Sequence, residues 1–230
     1  MEWLLWDFDG TLGYHDGMWS RTLQESLAAQ GIDWPLERIR PLMAAGFPWH
    51  TPEQSHEQFF GGVPWWDSML EHFAGLLRQQ GLSADRAAAA AEGLRVRYLD
   101  PSRWHLYDDT LPALRQAQAQ GYRCAILSNH VPELPAIVDG LGLSGLLEEV
   151  LTSAQLGWEK PNAEFYCRAM ALLGCECATM IGDNPKADVT GARTVGLNAI
   201  LVRGERPADA GILHAHTLLD VFAFLPPHSL

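Results

Sequence analysis

Apolar residues fall along this chain in two rhythms. At the start, Trp3-Leu4-Leu5-Trp6 is an unbroken apolar run that stops at Asp7-Phe8-Asp9-Gly10. A short continuous run with a turn signal behind it reads as a strand buried on both faces, as in a parallel sheet. The polar, glycine-containing stretch 13–17 reads as a flexible link. From about Met18 to Trp104 the pattern is helical, with no strand alternation. Leu23 and Leu27 share a face before Gly31, and Ser83 stands as N-cap to an alanine-rich segment over 84–99, with Asp85 in its first turn. From Asp108 onward helices alternate with apolar strands. Strands are predicted over 122–127, 149–152, 178–181 and 199–202, with a last short one around His214-x-His216. Helices are predicted after Asp109, after Pro132, on the face Phe165-Ala169-Leu172-Leu173, in the stretch ending near Gly196, and over 217–225. Such alternation implies βαβ units and a parallel sheet. The predicted fold is therefore α/β, a Rossmann-like parallel sheet flanked by helices. Residues 1–13 and 105–230 form that core, and 14–104 form an inserted all-helical cap.

Composition narrows the function classes. Hydrophobic residues make up 47% of the 230, enough for a sizeable core, and the net charge of −12 argues against nucleic-acid or anionic-membrane surfaces. No run approaches transmembrane length, and no signal-type segment opens the chain, so a cytoplasmic location is expected. Cys124, Cys167, Cys175 and Cys177 have no zinc-ligand spacing and read as buried, reduced thiols. Fourteen of the sixteen basic residues are arginine; only Lys160 and Lys186 are lysine. In such a chain a lysine stands out as a compact point charge.

Four predicted strands end in polar residues, and parallel topology brings those ends to the edge where open α/β sheets bind ligands. The first gives Asp7 and Asp9, which point the same way because they are two apart. The second gives Ser128 and Asn129, the third leads to Lys160, and the fourth gives Asp183 with Asp188 beyond it. Carboxylates converging near one lysine call for a cation. A few hard oxygen ligands with room for water and phosphate suit Mg²⁺ better than Zn²⁺ or Ca²⁺. Taken singly, Ser128 reads as a helix cap, Asp183 as a turn residue, and Lys186 as a solvated loop charge. His130 and the pair His214 and His216 read as structural.

Asp7-Phe8-Asp9-Gly10-Thr11, Ser128, Lys160-Pro161 and Gly182-Asp183-x-x-x-x-Asp188 resemble, in order, the four motifs of the haloacid dehalogenase-like hydrolase superfamily. The insert after the first motif resembles that superfamily's helical cap. The resemblance implies Asp7 as a nucleophile that becomes an aspartyl-phosphate, and Asp9 as general acid and then base. It implies Mg²⁺ on the Asp7 carboxylate, the Asp9 backbone carbonyl and Asp183, with Asp188 supporting the metal or orienting Lys160. Thr11, Ser128, Asn129 and Lys160 would bind phosphate.

Within the superfamily, a carboxylate at Asp9 favours phosphoryl chemistry, since displacing a halide needs no acid. The expected activity is a Mg²⁺-dependent phosphatase acting on a small-molecule phosphate monoester. The alternatives are a phosphomutase, with Arg38 and Arg40 the candidates for a second phosphate contact, a dehalogenase, or a catalytically silent binding member. Six of the nine tryptophans lie in the middle region, and Trp49, His50, Trp65 and Trp66 are the cap residues expected to face substrate. The oligomeric state is not readable from the sequence.

Overall fold

The computed structural model of the chain describes residues 2–59, 63–204, 209 and 211–226. The strands are β1 (Trp3–Trp6), β2 (Gly13–His15), β3 (Trp104–Leu106), β4 (Arg123–Ser128), β5 (Glu149–Thr152), β6 (Ala178–Gly182), β7 (Asn198–Val202) and β8 (Leu213–Ala215). Six of them form one parallel sheet in the order β5-β4-β1-β6-β7-β8. The helices are α1 (Met18–Ala28), α2 (Leu36–Ile39), α3 (Val63–Gln79), α4 (Ala84–Tyr98), α5 (Thr110–Ala119), α6 (Leu134–Gly140), α7 (Ser153–Leu156), α8 (Ala163–Leu173) and α9 (Gly191–Thr194). No helix among the described residues is long and apolar enough to cross a membrane.

The opening apolar run takes the centre of the sheet because both of its faces can be buried there. Side chains alternate along a strand. Trp3 and Leu5 face a layer that includes Phe165, Tyr166 and Ala169 of α8, whereas Leu4 and Trp6 face one that includes Ala113, Leu114 and Ala117 of α5. All four residues of β1 are buried. Registration of Trp6 against Ile126 on one side and Ile181 on the other sets the ends of β1, β4 and β6 side by side.

Helices α1 to α4 form the insert. They pack through Leu23 and Leu27 of α1, Met69, Phe73 and Leu77 of α3, and Ala87, Ala90 and Leu94 of α4. Small alanines let α4 approach closely, and Ser26 Oγ donates to the Ala90 carbonyl at 2.7 Å.

Several details differ from the sequence expectation. The link expected over 13–17 is partly strand: β2 pairs antiparallel with β3, Gly13 opposite Leu106 and His15 opposite Trp104. Three-residue strands carry too little alternation to show in a sequence. The stretch expected as one helix up to Gly196 is a π-helical turn, Pro185–Thr190, running into α9. The closing helix expected over 217–225 is a 3₁₀ segment, Leu219–Ala223, followed closely by Pro226, which cannot continue a helix. All four cysteines are free, but only Cys124 is buried; Cys167 and Cys177 are exposed. Residues 1 and 227–230, counted with the core by sequence, lie outside the described residues.

One buried acid sets a pH dependence of stability. Glu159 is 1% exposed, Oε2 has no partner among the described residues, and burial pushes its carboxyl up to about 7, the Ser153 hydroxyl and Lys160 pulling the other way. Its folded pKa lies above the unfolded one, so the unfolded chain ionises first. The native state therefore loses stability as pH rises from about 4.5 to about 7. Glu159→Gln is expected to remove this loss. Urea unfolding at pH 5 and pH 8 should show the variant gaining on the wild type by up to about 3 kcal/mol at the higher pH.

Candidate active site

The chain leaves β1 into a tight loop in which the Phe8 carbonyl accepts from the amides of Thr11, Leu12 and Gly13. Gly10 makes that loop possible. Its φ is +78°, and a Cβ there would lie 2.4 Å from Asp183 Oδ2, so only glycine allows this approach. The loop is held from outside: Arg203 donates to the Thr11 carbonyl at 2.8 and 3.1 Å, and Thr110 Oγ1 to the Leu12 carbonyl at 2.6 Å.

Asp7 is the centre of the site. One oxygen, Oδ1, accepts from the Phe8 amide at 2.8 Å and Ser128 Oγ at 2.6 Å, and contacts Lys160 Nζ at 2.9 Å. Lys160 Nζ also donates to Asp188 Oδ1 at 2.6 Å. These two carboxylates outweigh the effect of burial and raise the Lys160 pKa, so the ammonium stays charged. Asp188 is fully buried. Its other oxygen accepts from the Asn184 amide at 2.9 Å, a position fixed by the π-helical turn. Gly182 leaves room for it, since a Cβ there would meet the Asp188 carboxylate at 2.2 Å.

Asp9 lies beside this group. Burial first, then the charges of Asp7 and Asp183, raise its pKa well above the ordinary carboxylate range, with Lys160 opposing. Its Oδ1 is buried with no partner among the described residues, and its Oδ2 is 3.7 Å from His130 Nε2. His130 is buried against Phe8 and Trp104, and burial lowers its pKa to about 4, so it is neutral at pH 7. Asp183 faces the cavity and stays open to solvent, yet the surrounding protein and then Asp7 push its carboxyl up to about 6. Oxygens of Asp7, Asp183 and Asp188 all lie within 4.8 Å of one another. These crowded carboxylates, with the pKa values of Asp9, Asp183 and Asp188 raised and an oxygen of Asp9 orphaned, form a donor set that fits a divalent cation.

A cavity of about 600 Å³ opens over these residues, lined on the core side by Asp7, Asp9, Ser128, Asn129, Lys160 and Asp183 among others. Of the cap residues expected there, Trp49 and His50 do line it. Trp65 and Trp66 do not: both are 1% exposed inside the helical insert, and Trp66 Nε1 donates to Glu133 Oε2 at 2.8 Å, tying the insert to α6. Thr11 also lies elsewhere than expected, fully buried with its hydroxyl 3.4 Å from Asp183 Oδ1. Asn129 reaches the cavity but its side chain is already occupied. Its Oδ1 accepts from the Lys160 amide at 2.7 Å and its Nδ2 donates to the Lys160 carbonyl at 3.0 Å, so it positions the lysine.

Sequence reasoning missed Met18, Trp19 and Tyr98 on the cap side, and Lys186 on the core side, which lines the cavity instead of standing apart as a loop charge. The scarcity of lysine was the available signal, since both lysines of the chain meet at this cavity. Nothing in the local pattern marked Tyr98, the last residue of α4, whose hydroxyl is 3.5 Å from His130 Nε2.

Comparison with known proteins agrees with this arrangement. Residues 1–196 match the family described as haloacid dehalogenase-like hydrolase. The chain belongs to that family. A human relative, haloacid dehalogenase-like hydrolase domain-containing protein 3, is 35% identical over 150 residues, covering 63% of this chain and 58% of the relative. The phosphoserine phosphatase of Thermus thermophilus is 36% identical over 141 residues, covering 60% and 55%. The chain thus spans less than two thirds of the length of these curated hydrolases. Among solved structures of the family, YfnB from Bacillus subtilis, a HAD-hydrolase bound to magnesium, has the same fold, with a TM-score of 0.72 at 18% identity over 97% of each chain.

The buried ion cluster predicts a large stability cost. Lys160→Met removes the ammonium and leaves Asp7 and Asp188 uncompensated, a change expected to cost about 3–5 kcal/mol. Adding Asp188→Asn should recover part of that loss in urea unfolding; no recovery would mean that the lysine acts by packing alone.

Proposed function

We propose that this protein is a Mg²⁺-dependent phosphohydrolase that cleaves a small-molecule phosphate monoester through an aspartyl-phosphate on Asp7. In this reading residues 1–13 and 105–230 form the catalytic core and 14–104 the cap. The observation that carries it is the Asp7 carboxylate. Three donors fix one of its oxygens, which aims the other, and Asp9 stands next to it with its acid form favoured.

Asp7 attacks phosphorus, a P–O bond forms to its carboxylate, and the ester P–O bond breaks. Asp9 gives its proton to the departing oxygen, a transfer worth about 10²–10⁴ in rate. Water then loses a proton to Asp9 and attacks the aspartyl-phosphate, releasing phosphate and restoring Asp7. Ser128 and Lys160 donate to the phosphoryl oxygens as charge spreads over them. Asp188 and Asn129 hold Lys160 by its ammonium and its peptide. Asp7 and Asp183, with the Asp9 carbonyl, would hold Mg²⁺, which supplies positive charge to the phosphoryl oxygens when bound. The relatives named for phosphatase activity support the same chemistry.

A mutase reading has lost its best candidates. Arg38 stacks over Trp34 at 3.6 Å and donates to the Gln80 carbonyl, and neither Arg38 nor Arg40 lines the cavity.

Asp7→Asn should abolish phosphate release from a broad panel of esters; retained turnover would remove Asp7 from the nucleophile's role. Asp9→Asn should separate the two half-reactions. Acetyl phosphate needs no acid to leave, so the variant should still phosphorylate Asp7 and then stall, accumulating labelled phosphoenzyme, while alkyl esters give none. Equal loss with both substrates would argue against Asp9 as the acid. Asp183→Asn should act in opposite directions with and without Mg²⁺. Without it the variant melts higher at pH 8, because a carboxylate with a raised pKa is removed. With excess Mg²⁺ it melts lower than wild type, because binding stabilises only the intact site.

A further inference from the structure

The wall that the cap turns toward the phosphate site carries no charge. It consists of Met18, Trp19, Trp49, His50, Pro52 and Tyr98. Partial desolvation and then nearby His72 lower the pKa of His50, an exposed residue, and its Nδ1 accepts from the Phe47 amide at 3.4 Å. The Tyr98 hydroxyl is turned to His130. No arginine, lysine or carboxylate lines the cavity from the insert among the described residues.

The rings of this wall are arranged as a backed surface. Trp49 is half-buried and stacks on Phe47 at 4.5 Å with 14° between the planes, which leaves its remaining surface for the cavity. Trp19 and Tyr98 stack on each other at 3.8 Å, so their faces are used internally. Met18 adds an adaptable apolar contact. It stands at φ +44°, in the left-handed region that a non-glycine residue adopts only where its surroundings impose it. The Pro52 segment is docked on the core, its carbonyl accepting from Asn162 Nδ2 at 2.9 Å.

Such a wall discriminates by solvation. A carboxylate, an ammonium or a second phosphate pressed against it would lose water and find no opposite charge there. A flat apolar group would gain burial and stacking on Trp49. Lys186 also lines the cavity, but from the core loop that carries Asp183 and Asp188, so the wall itself offers an anion no cation. The cavity volume, about 600 Å³, is in the range that accepts a ligand much larger than a phosphate group.

We propose that the substrate is the phosphate monoester of an uncharged alcohol bearing a planar, apolar group, and that Trp49 selects it by stacking. This rests on the hydrolase reading above and specifies the leaving group of that site.

The test compares esters whose alcohols are of similar acidity, so that differences report binding rather than leaving-group chemistry. The wild-type protein with Mg²⁺ is given phenethyl phosphate and naphthylmethyl phosphate, and against them glycerol phosphate, O-phosphoserine, phosphocholine and a sugar bisphosphate. Acetyl phosphate serves as a small substrate without an apolar group. The arylalkyl esters are expected to exceed the others in kcat/KM by about tenfold or more, mainly through KM, since a stacked ring adds to the gain from its burial. Trp49→Ala should lower the ratio of arylalkyl to glycerol phosphate kcat/KM about tenfold. That ratio does not depend on how much of the variant is folded. Equal or higher kcat/KM for phosphoserine, phosphocholine or the bisphosphate overturns the substrate class while leaving the hydrolase intact. An unchanged ratio in Trp49→Ala overturns the part given to Trp49. Failure to release phosphate from any ester, acetyl phosphate included, takes the hydrolase reading down and this proposal with it.

Discussion

The rest of the site depends on one buried ammonium. Lys160 stands between Asp7 at 2.9 Å and Asp188 at 2.6 Å, almost inaccessible to solvent. A single positive charge there balances two carboxylates that would otherwise repel each other and any incoming phosphate. That balance explains how tightly its supports are drawn. The Asn129 side chain grips the Lys160 peptide from both sides, the π-helical turn fixes Asp188, and Gly182 yields the space that the Asp188 carboxylate fills. The supports come from the carboxyl ends of β4 and β6, the edge at which parallel sheets gather ligands.

Asp9 shows the opposite arrangement. Asp7 is saturated with donors on one oxygen, whereas Asp9 is crowded by two other acids and leaves an oxygen unpaired. Two carboxyl groups two residues apart just beyond β1 thus meet opposite surroundings, donors around Asp7 and acids around Asp9. In the proposed reaction this contrast suits Asp9 to give up a proton beside Asp7.

Much of this was legible in the sequence because it depends on local pattern. Apolar runs such as Trp3 to Trp6 and Ala178 to Ile181 marked the strands, and the polar residues after them marked Asp7, Asp9, Ser128, Lys160, Asp183 and Asp188 together. What the sequence hid depends on distance or on phase. Asn129 looks like a phosphate contact until the Lys160 peptide, thirty-one residues on, is placed against it. Trp49 and Trp65 look alike in a row of letters, yet one stands in a short 3₁₀ turn, Pro48–His50, that lines the cavity and the other is buried in α3. Thr11 sits in the motif but is turned under the loop toward Asp183. The ribbon of β2 and β3 joins segments so distant in sequence, and so short, that no window could register it.

The hydrophobic layer on the Leu4 and Trp6 side of the sheet does not stop at the insert. It runs without a break through Phe8 and Trp104 to Tyr98 and Trp19, and on to Phe73 and Leu77 of α3. Two regions that share one apolar interior melt together, because opening either one wets the other. Cap and core are then a single cooperative unit, although the chain visits them in three separate passes. Excising the insert would strip the cover from Phe8 and Trp104 just beyond the central strand, so in this chain the insert is part of the interior that keeps the loop after β1 dry.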